Sequence, residues 1–202
     1  MRASKRERII DAAADLFYRG GFNATGIEKV LADAGVAKMT LYNHFGSKEE
    51  LILAVLRRRD EQFRGELRRA VEACRGGPRE KLLCLFDVLA AWFVQDGFRG
   101  CLFINAAAEF RGISEAIFAH TAAHKRLIAS YVRDLAAAAG ARNPDVVADQ
   151  IVLLLEGAIV TTQVSGGTDW ARRAREAAAI LLDRDIEAGQ PCEAATGSSP
   201  AA

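Results

Sequence analysis

The stretch that decides the fold is residues 27–45, IEKVLADAGVAKMTLYNHF. Its apolar residues Ile27, Val30 and Ala34 recur at helical spacing, Gly35 interrupts, and a second short helical pattern runs from Lys38 to His44. Two short helices joined by so tight a turn cross steeply, and the second presents its outer side away from the body. Ile27, Val30, Ala34, Val36, Leu41 and Phe45 can close a small core with a preceding helix. That leaves Lys38, Met39, Thr40, Tyr42, Asn43 and His44 outward. A base, a hydroxyl, an amide and polar aromatic groups on one short helix suit the major groove of DNA. Asn43 can pair with an adenine edge. Lys38 can reach a phosphate or a guanine, Thr40 a phosphate or a thymine methyl, and Tyr42 and His44 can donate to phosphates.

Outward from this segment the pattern stays helical. A first helix is expected from about Ser4 to Arg19, ended by Gly20-Gly21. Thr25-Gly26-Ile27-Glu28 is read as a capping box opening the second helix, and Ser47-Lys48-Glu49-Glu50 as another opening a long fourth helix that stops at Gly76-Gly77-Pro78. Further helices are expected near 79–95, 102–110, 114–139, 144–165 and 169–187, separated by glycine- or proline-containing breaks. The expected fold is therefore all-α: a helix-turn-helix head over residues 1–48 and a larger helical body over 49–188. A Gly/Ser/Pro/Ala-rich tail over 189–202 is expected to be disordered. Lys48, at the start of the long helix, adds its charge to the helix N-terminus as a phosphate contact. Thr25, Lys5 and Arg6 are placed to flank the same DNA backbone.

Charge supports a local contact only. The 202-residue chain carries +1 overall, but residues 1–48 hold eight Lys and Arg against five Asp and Glu, a balance of +3. That is a modest footprint, and an ordinary solvated helix start has the same look. The four cysteines, Cys74, Cys84, Cys101 and Cys192, show no C-x-x-C pair and no zinc spacing, and are read as reduced thiols. No apolar h-region follows the N-terminus and no uninterrupted apolar run is long enough to span a bilayer, so a cytoplasmic protein is expected.

The segment GVAKMTLYNHFGSKEEL, with IIDAAADLFYRGGFNATGIEKVLADAG before it, closely resembles the DNA-binding head of TetR-family bacterial regulators. The likeness covers about the first 55 residues. It implies an all-helical homodimer of about nine helices per subunit. The heads would bind a palindromic double-stranded operator, and the body would hold a small-molecule effector that weakens DNA binding. Leu31 stands where the family often has alanine, and Met39 where glycine is common, so the operator of a relative does not carry over.

In the body, Asn105 and Glu109 lie four apart on one helix face and are candidate polar groups of a ligand pocket. Candidate apolar walls are Trp92, Phe93, Phe103, Phe110, Phe118 and Tyr131, with His124 beside them. The competing reading makes the aromatics ordinary core and Glu109 a solvated group. His120 and His124 have a metal-compatible spacing only if a carboxylate such as Glu109 or Glu156 joins them. Two partly exposed histidines, no metal and no cofactor are expected. Cys101 begins a helix and is either a redox-sensing thiol or an inert buried one. Resemblance places the dimer face on the last two helices, where Ile151, Leu155, Ile159, Ile180 and Leu181 are candidates. The alternative is that they complete the subunit core. The leading function is a repressor released by a ligand. The alternatives are an activator with the same head, or an enzyme on a helical scaffold, for which no Ser-His-Asp set, phosphate loop or redox pair is seen.

Overall fold

A computed structural model describes residues 4–186. The expected disordered tail lies outside the described residues. Among the described residues there are nine helices and no strand. They are α1 (Lys5–Gly20), α2 (Ile27–Ala34), α3 (Lys38–His44), α4 (Lys48–Glu72), α5 (Pro78–Phe93), α6 (Leu102–Phe110), α7 (Glu115–Ala138), α8 (Pro144–Ser165) and α9 (Trp170–Asp185). Ala141 and Ile186 form one isolated antiparallel bridge.

The head is α1–α3. Ser4 caps α1 by accepting from the Glu7 amide, while Glu7 accepts from the Ser4 amide at 2.8 Å, a reciprocal box. α1 buries Ile9, Ile10, Ala13 and Phe17 against Val30 and Leu31 of α2 and Leu41 of α3. Gly35 ends α2 in the left-handed conformation, φ 60°, which glycine adopts without a Cβ clash. From α1, the Arg8 guanidinium donates to the carbonyl oxygens of Ala34 and Gly35, the latter at 2.9 Å. A cation thereby satisfies the open carbonyls at the negative end of α2 and locks the turn between α2 and α3.

The expected capping box at Thr25 is not formed. Gly26, without a side chain, is the N-cap of α2. Thr25 is only 3% exposed, and its hydroxyl donates backwards to the Gly21 carbonyl at 2.7 Å. It closes the end of α1 instead of opening α2. At the next box, Ser47 does cap α4 through the Glu50 amide at 3.1 Å, but the Glu50 carboxylate reaches the Gly46 amide, one residue short of the cap.

α4 is the one helix that begins in the head and continues deep into the body. There it packs against α5 and α7, while α6 lies on α7, α8 on α5, α7 and α9, and α9 on α5 and α8, with Leu82, Leu85, Phe86, Ile117, Val132 and Ile151 in the core. Cys74 and Cys84 are joined as a disulfide across the α4–α5 return, with a Cα–Cα distance of 6.6 Å. This corrects the expectation of reduced thiols: the reversal at Gly76-Gly77-Pro78 folds two cysteines ten residues apart onto one another. Cys101 is free and buried. Among the described residues, no helix is long and apolar enough to cross a membrane.

Leu41 is the only fully buried side chain of α3, and Met39 on the same helix is 70% exposed. Leu41→Ala is expected to cost about 2–5 kcal/mol of stability. Met39→Ala should cost less than about 0.5 kcal/mol. Urea denaturation of the two variants measures the difference.

Candidate nucleic-acid interface and body cavity

The outer side of α3 carries Met39, Tyr42 and Asn43, spaced three and four apart, with Lys38 and His44 at its two ends, all exposed. Thr40 is half-buried. The Lys38 ammonium is paired with Glu28 of α2 at 2.8 Å, and that bond and charge raise its pKa. Lys5 and Arg6 are exposed at the start of α1, where the Arg6 guanidinium lies 5.3 Å over the Phe45 ring. These residues share one end of the molecule with α3. Thr25 does not belong with them, because its hydroxyl is spent on α1 inside the head. Lys48 is half-buried and donates to the Asn23 carbonyl at 3.4 Å. Burial pulls its ammonium below the ordinary lysine range, against the opposing pull of the nearby Glu109 carboxylate.

Glu109 is not a pocket residue. Its carboxylate accepts from the backbone amides of Phe22 at 3.0 Å and Asn23 at 2.7 Å, in the loop between α1 and α2. A Cβ on Gly21 would sit 3.1 Å from the same carboxylate, so this close approach needs glycine there, at φ 82°. The other end of α6 is tied to the head as well. Tyr18 of α1 donates to the Gly100 carbonyl at 3.1 Å and accepts from the Arg99 amide at 2.9 Å. Phe110 packs edge-on against Phe22, ring centroids 5.7 Å apart. α6 is thus fastened to the head at both ends. A spacing argument finds the Asn105/Glu109 pair but cannot show that its target is backbone 87 residues away. Asn105 faces elsewhere, donating to the Arg99 carbonyl and accepting from Gln163 at 2.9 Å.

A partly open cavity of about 360 Å³ lies between α1 of the head and α4, α5, α6, α7 and α8 of the body. Of the residues expected in a pocket, Trp92, Phe103 and His124 line it. Phe93 and Phe110 are buried in the core, Phe118 is 38% exposed, and Tyr131 lines a separate surface groove beside α4. Composition alone could not sort these aromatics, since core and cavity wall use the same residues. Sequence reasoning missed Tyr18, Phe63, Lys125 and Glu156, which also line the cavity. Lys125 donates to both Glu156 oxygens at 2.7 Å and lies 3.5 Å from the Cys101 sulfur.

His124 is 2% exposed, which corrects the expectation of a partly exposed ring. Its Nδ1 lies 2.6 Å from Asp60 Oδ1, and it stacks flat on Phe103 at 3.6 Å. Asp60 also accepts two bonds from Arg64 at 2.9 Å. Burial pushes the Asp60 carboxyl up, yet the bonds from Arg64 and His124 outweigh it and leave the group lowered. Burial dominates at His124 and brings its pKa down to about 4 in spite of Asp60. Among the described residues no group of three metal-ligating side chains exists, and His120 and His124 do not converge on a carboxylate in common.

The candidate dimer residues Ile151, Leu155 and Ile159 point into the subunit's own core. The exposed apolar stripe of α8 is Val146, Leu153, Val160 and Val164, with Gly157 between, and Leu153 is 72% exposed. On α9, Ile180 is 73% exposed and Leu181 half-buried. On α8 the outward side lies about half a turn from the expected residues, whereas on α9 the expected Ile180 does face outward.

Residues 9–55 match the family model described as bacterial regulatory proteins, tetR family. Residues 78–178 match the tetracyclin repressor-like C-terminal domain. The chain belongs to the TetR family. Its members are helix-turn-helix transcription regulators, not enzymes. The match to the transcriptional activator FasR of Mycolicibacterium smegmatis is 39% identical over 70 residues, 35% of this chain and 32% of FasR. The match to the transcriptional repressor NemR of Escherichia coli is 29% identical over 111 residues, 54% of this chain and 56% of NemR. The chain thus spans a third to just over half the length of these TetR-family relatives. A TetR-family regulator of known structure from Streptomyces coelicolor superposes with a TM-score of 0.84 at 26% identity, over 91% of this chain and 96% of that one. Reduced NemR superposes with a TM-score of 0.78 at 22% identity, over 86% and 94%, which speaks to fold alone.

The buried His124 makes stability depend on pH. An unfolded histidine takes up a proton near pH 6.5, whereas folded His124 resists it until about pH 4. Between these values the unfolded chain binds more protons, so acidification favours unfolding. About 3 kcal/mol of stability should be lost from pH 7 to pH 4 on this account. In His124→Gln the loss over that window should largely vanish, as read from denaturation midpoints across the range.

Proposed function

We propose that this chain represses transcription as a homodimer, by seating the two α3 helices in successive major grooves of a palindromic operator, and that a small molecule in the body cavity releases it. The observation that carries this reading is the double fastening of α6. At one end Cys101, Leu102 and Phe103 form cavity wall, and at the other Glu109 grips the α1–α2 loop. A molecule entering beside Phe103 displaces a short rod whose far end holds the head. The heads of a dimer must stand about one helical turn of DNA apart to bind together. A ligand shifts that equilibrium by as much as its affinity differs between the two head positions. The α8–α9 stripe around Leu153, Val160 and Ile180 is the surface suited to the partner subunit, as a bundle of facing helices. The relatives include both an activator and a repressor. Release by a ligand is the reading favoured by the α6 connection, because it couples cavity to head without any further protein.

Selection from randomised duplexes should enrich a palindromic site. In mobility-shift titrations on that site, Asn43→Ala is expected to relax discrimination at one base pair per half-site by about 1–3 kcal/mol. Lys48→Ala should weaken binding evenly across sequences and flatten the salt dependence. Wild-type behaviour in both variants would overturn this docking, and failure to enrich any duplex would overturn the function.

Glu109→Ala frees the loop from α6. It should leave the preferred sequence unchanged, because no groove-facing residue is altered, and lower operator affinity by about tenfold through loss of preorganisation. Unchanged affinity would contradict the role given to α6.

A further inference from the structure

The chemistry of the cavity wall specifies what it can hold. Each ionised side chain that lines it already has a partner. Asp15 is paired with Arg19 at 2.9 Å, and Arg58 with Asp11 at 2.8 Å. Arg59 faces Glu66 at 3.6 Å and lies over the Phe63 ring. Lys125 and Glu156 close on each other inside the cavity. A charged ligand would have to break one of these pairs or bring its own charge into an apolar space, and both are costly. The rest of the wall is mostly apolar, with Phe63, Trp92, Phe103 and aliphatic side chains, and carries the neutral polar side chains Tyr18, Gln62, Gln95 and His124.

One polar atom of this wall is fixed in direction by its neighbours. Asp60 holds two bonds from Arg64 and one from His124, and a carboxylate only accepts. The proton on the His124 ring is therefore on Nδ1. The neutral ring then offers Nε2 as a bare acceptor, directed away from Asp60. Among the described residues no protein donor reaches Nε2, although the ring is buried and lines the cavity. Stacking on Phe103 and the Asp60 bond fix the direction in which that lone pair points.

We infer that the cavity takes a neutral, flat aromatic molecule bearing a hydroxyl group, which sits among Phe63, Trp92 and Phe103 and donates its O–H to His124 Nε2. This rests on the reading of the cavity as the effector site and narrows it to one ligand chemistry. About 360 Å³ accommodates two or three fused or linked rings. The phenolic O–H is required because a site that presents a fixed acceptor to the ligand discriminates against an analogue that leaves it unpaired.

Isothermal titration of the full chain with three biphenyls of matched shape tests this: 4-phenylphenol, its methyl ether and biphenyl-4-carboxylate. The phenol is expected to bind at least tenfold more tightly than either of the others. His124→Phe, which keeps a ring against Phe103, should erase the preference for phenol over ether. In the wild type, equal binding of phenol and ether would overturn the acceptor role of His124. Tightest binding of the carboxylate would show that the Lys125–Glu156 pair opens to an anion, and would overturn the neutral class. Silence from all three while operator binding persists would refute the ligand class and leave the regulator standing. Phenol binding without any enriched duplex would do the reverse.

Discussion

The arrangement turns on one carboxylate. Glu109, at the last turn of α6, accepts from two successive backbone amides of the α1–α2 loop. Charged acceptors make the stronger hydrogen bonds, and two amides on one carboxylate fix an angle as well as a distance. Because those amides belong to backbone, the contact positions the whole loop. α1 arrives at the loop from one side and α2 leaves it on the other, so the contact sets how the head sits on the body. Gly21 is part of the same device, since any larger residue would crowd the carboxylate. Tyr18 and Gly100 repeat the connection at the opposite end of α6, and Phe22 packs edge-on against Phe110 beside Glu109.

From this attachment the two halves of the molecule take on distinct roles. The head is rigid within itself: Arg8 ties α1 to the α2–α3 turn, and Leu41 anchors α3 from beneath. Its outer residues are therefore presented in a fixed constellation, as reading a groove requires. The body is built around a space. α1, α4 and α6 all border that space, and α1 is itself part of the head; the proposed coupling of cavity content to the head runs along α6. The charged side chains of its wall are paired, and the His124 ring is held in place by Asp60 and Phe103.

Much of this was legible in the chain itself. Helical periodicity and glycine breaks located all nine helices of the described residues to within a few positions, because local rules govern where a helix starts and stops. The α3 surface was legible for the same reason: on a seven-residue helix with one buried leucine, the outward set follows from spacing. What failed was whatever depends on partners that spacing does not name, near or far. Thr25 has the spacing of a cap, but the carbonyl of Gly21 competes for its hydroxyl and wins. The spacing of Glu109 with Asn105 suggests a polar group turned inward, and its targets are amides far away in sequence. Ile151, Leu155 and Ile159 share a face with the right period, yet periodicity cannot say which of two apolar faces meets the subunit core and which meets solvent. Cys74 and Cys84 show no spacing motif, because a chain reversal brings them together.

Backbone amide exchange, resolved at single residues, tests the central attachment most directly. In the wild type the amides of Phe22 and Asn23 should be protected although Asn23 lies on an exposed loop. In Glu109→Ala both should exchange at least tenfold faster, while amides in the middle of α1 and α8 keep their rates. If Phe22 and Asn23 exchange equally fast with and without the carboxylate, Glu109 does not hold the head, and the route from cavity to DNA through α6 is wrong.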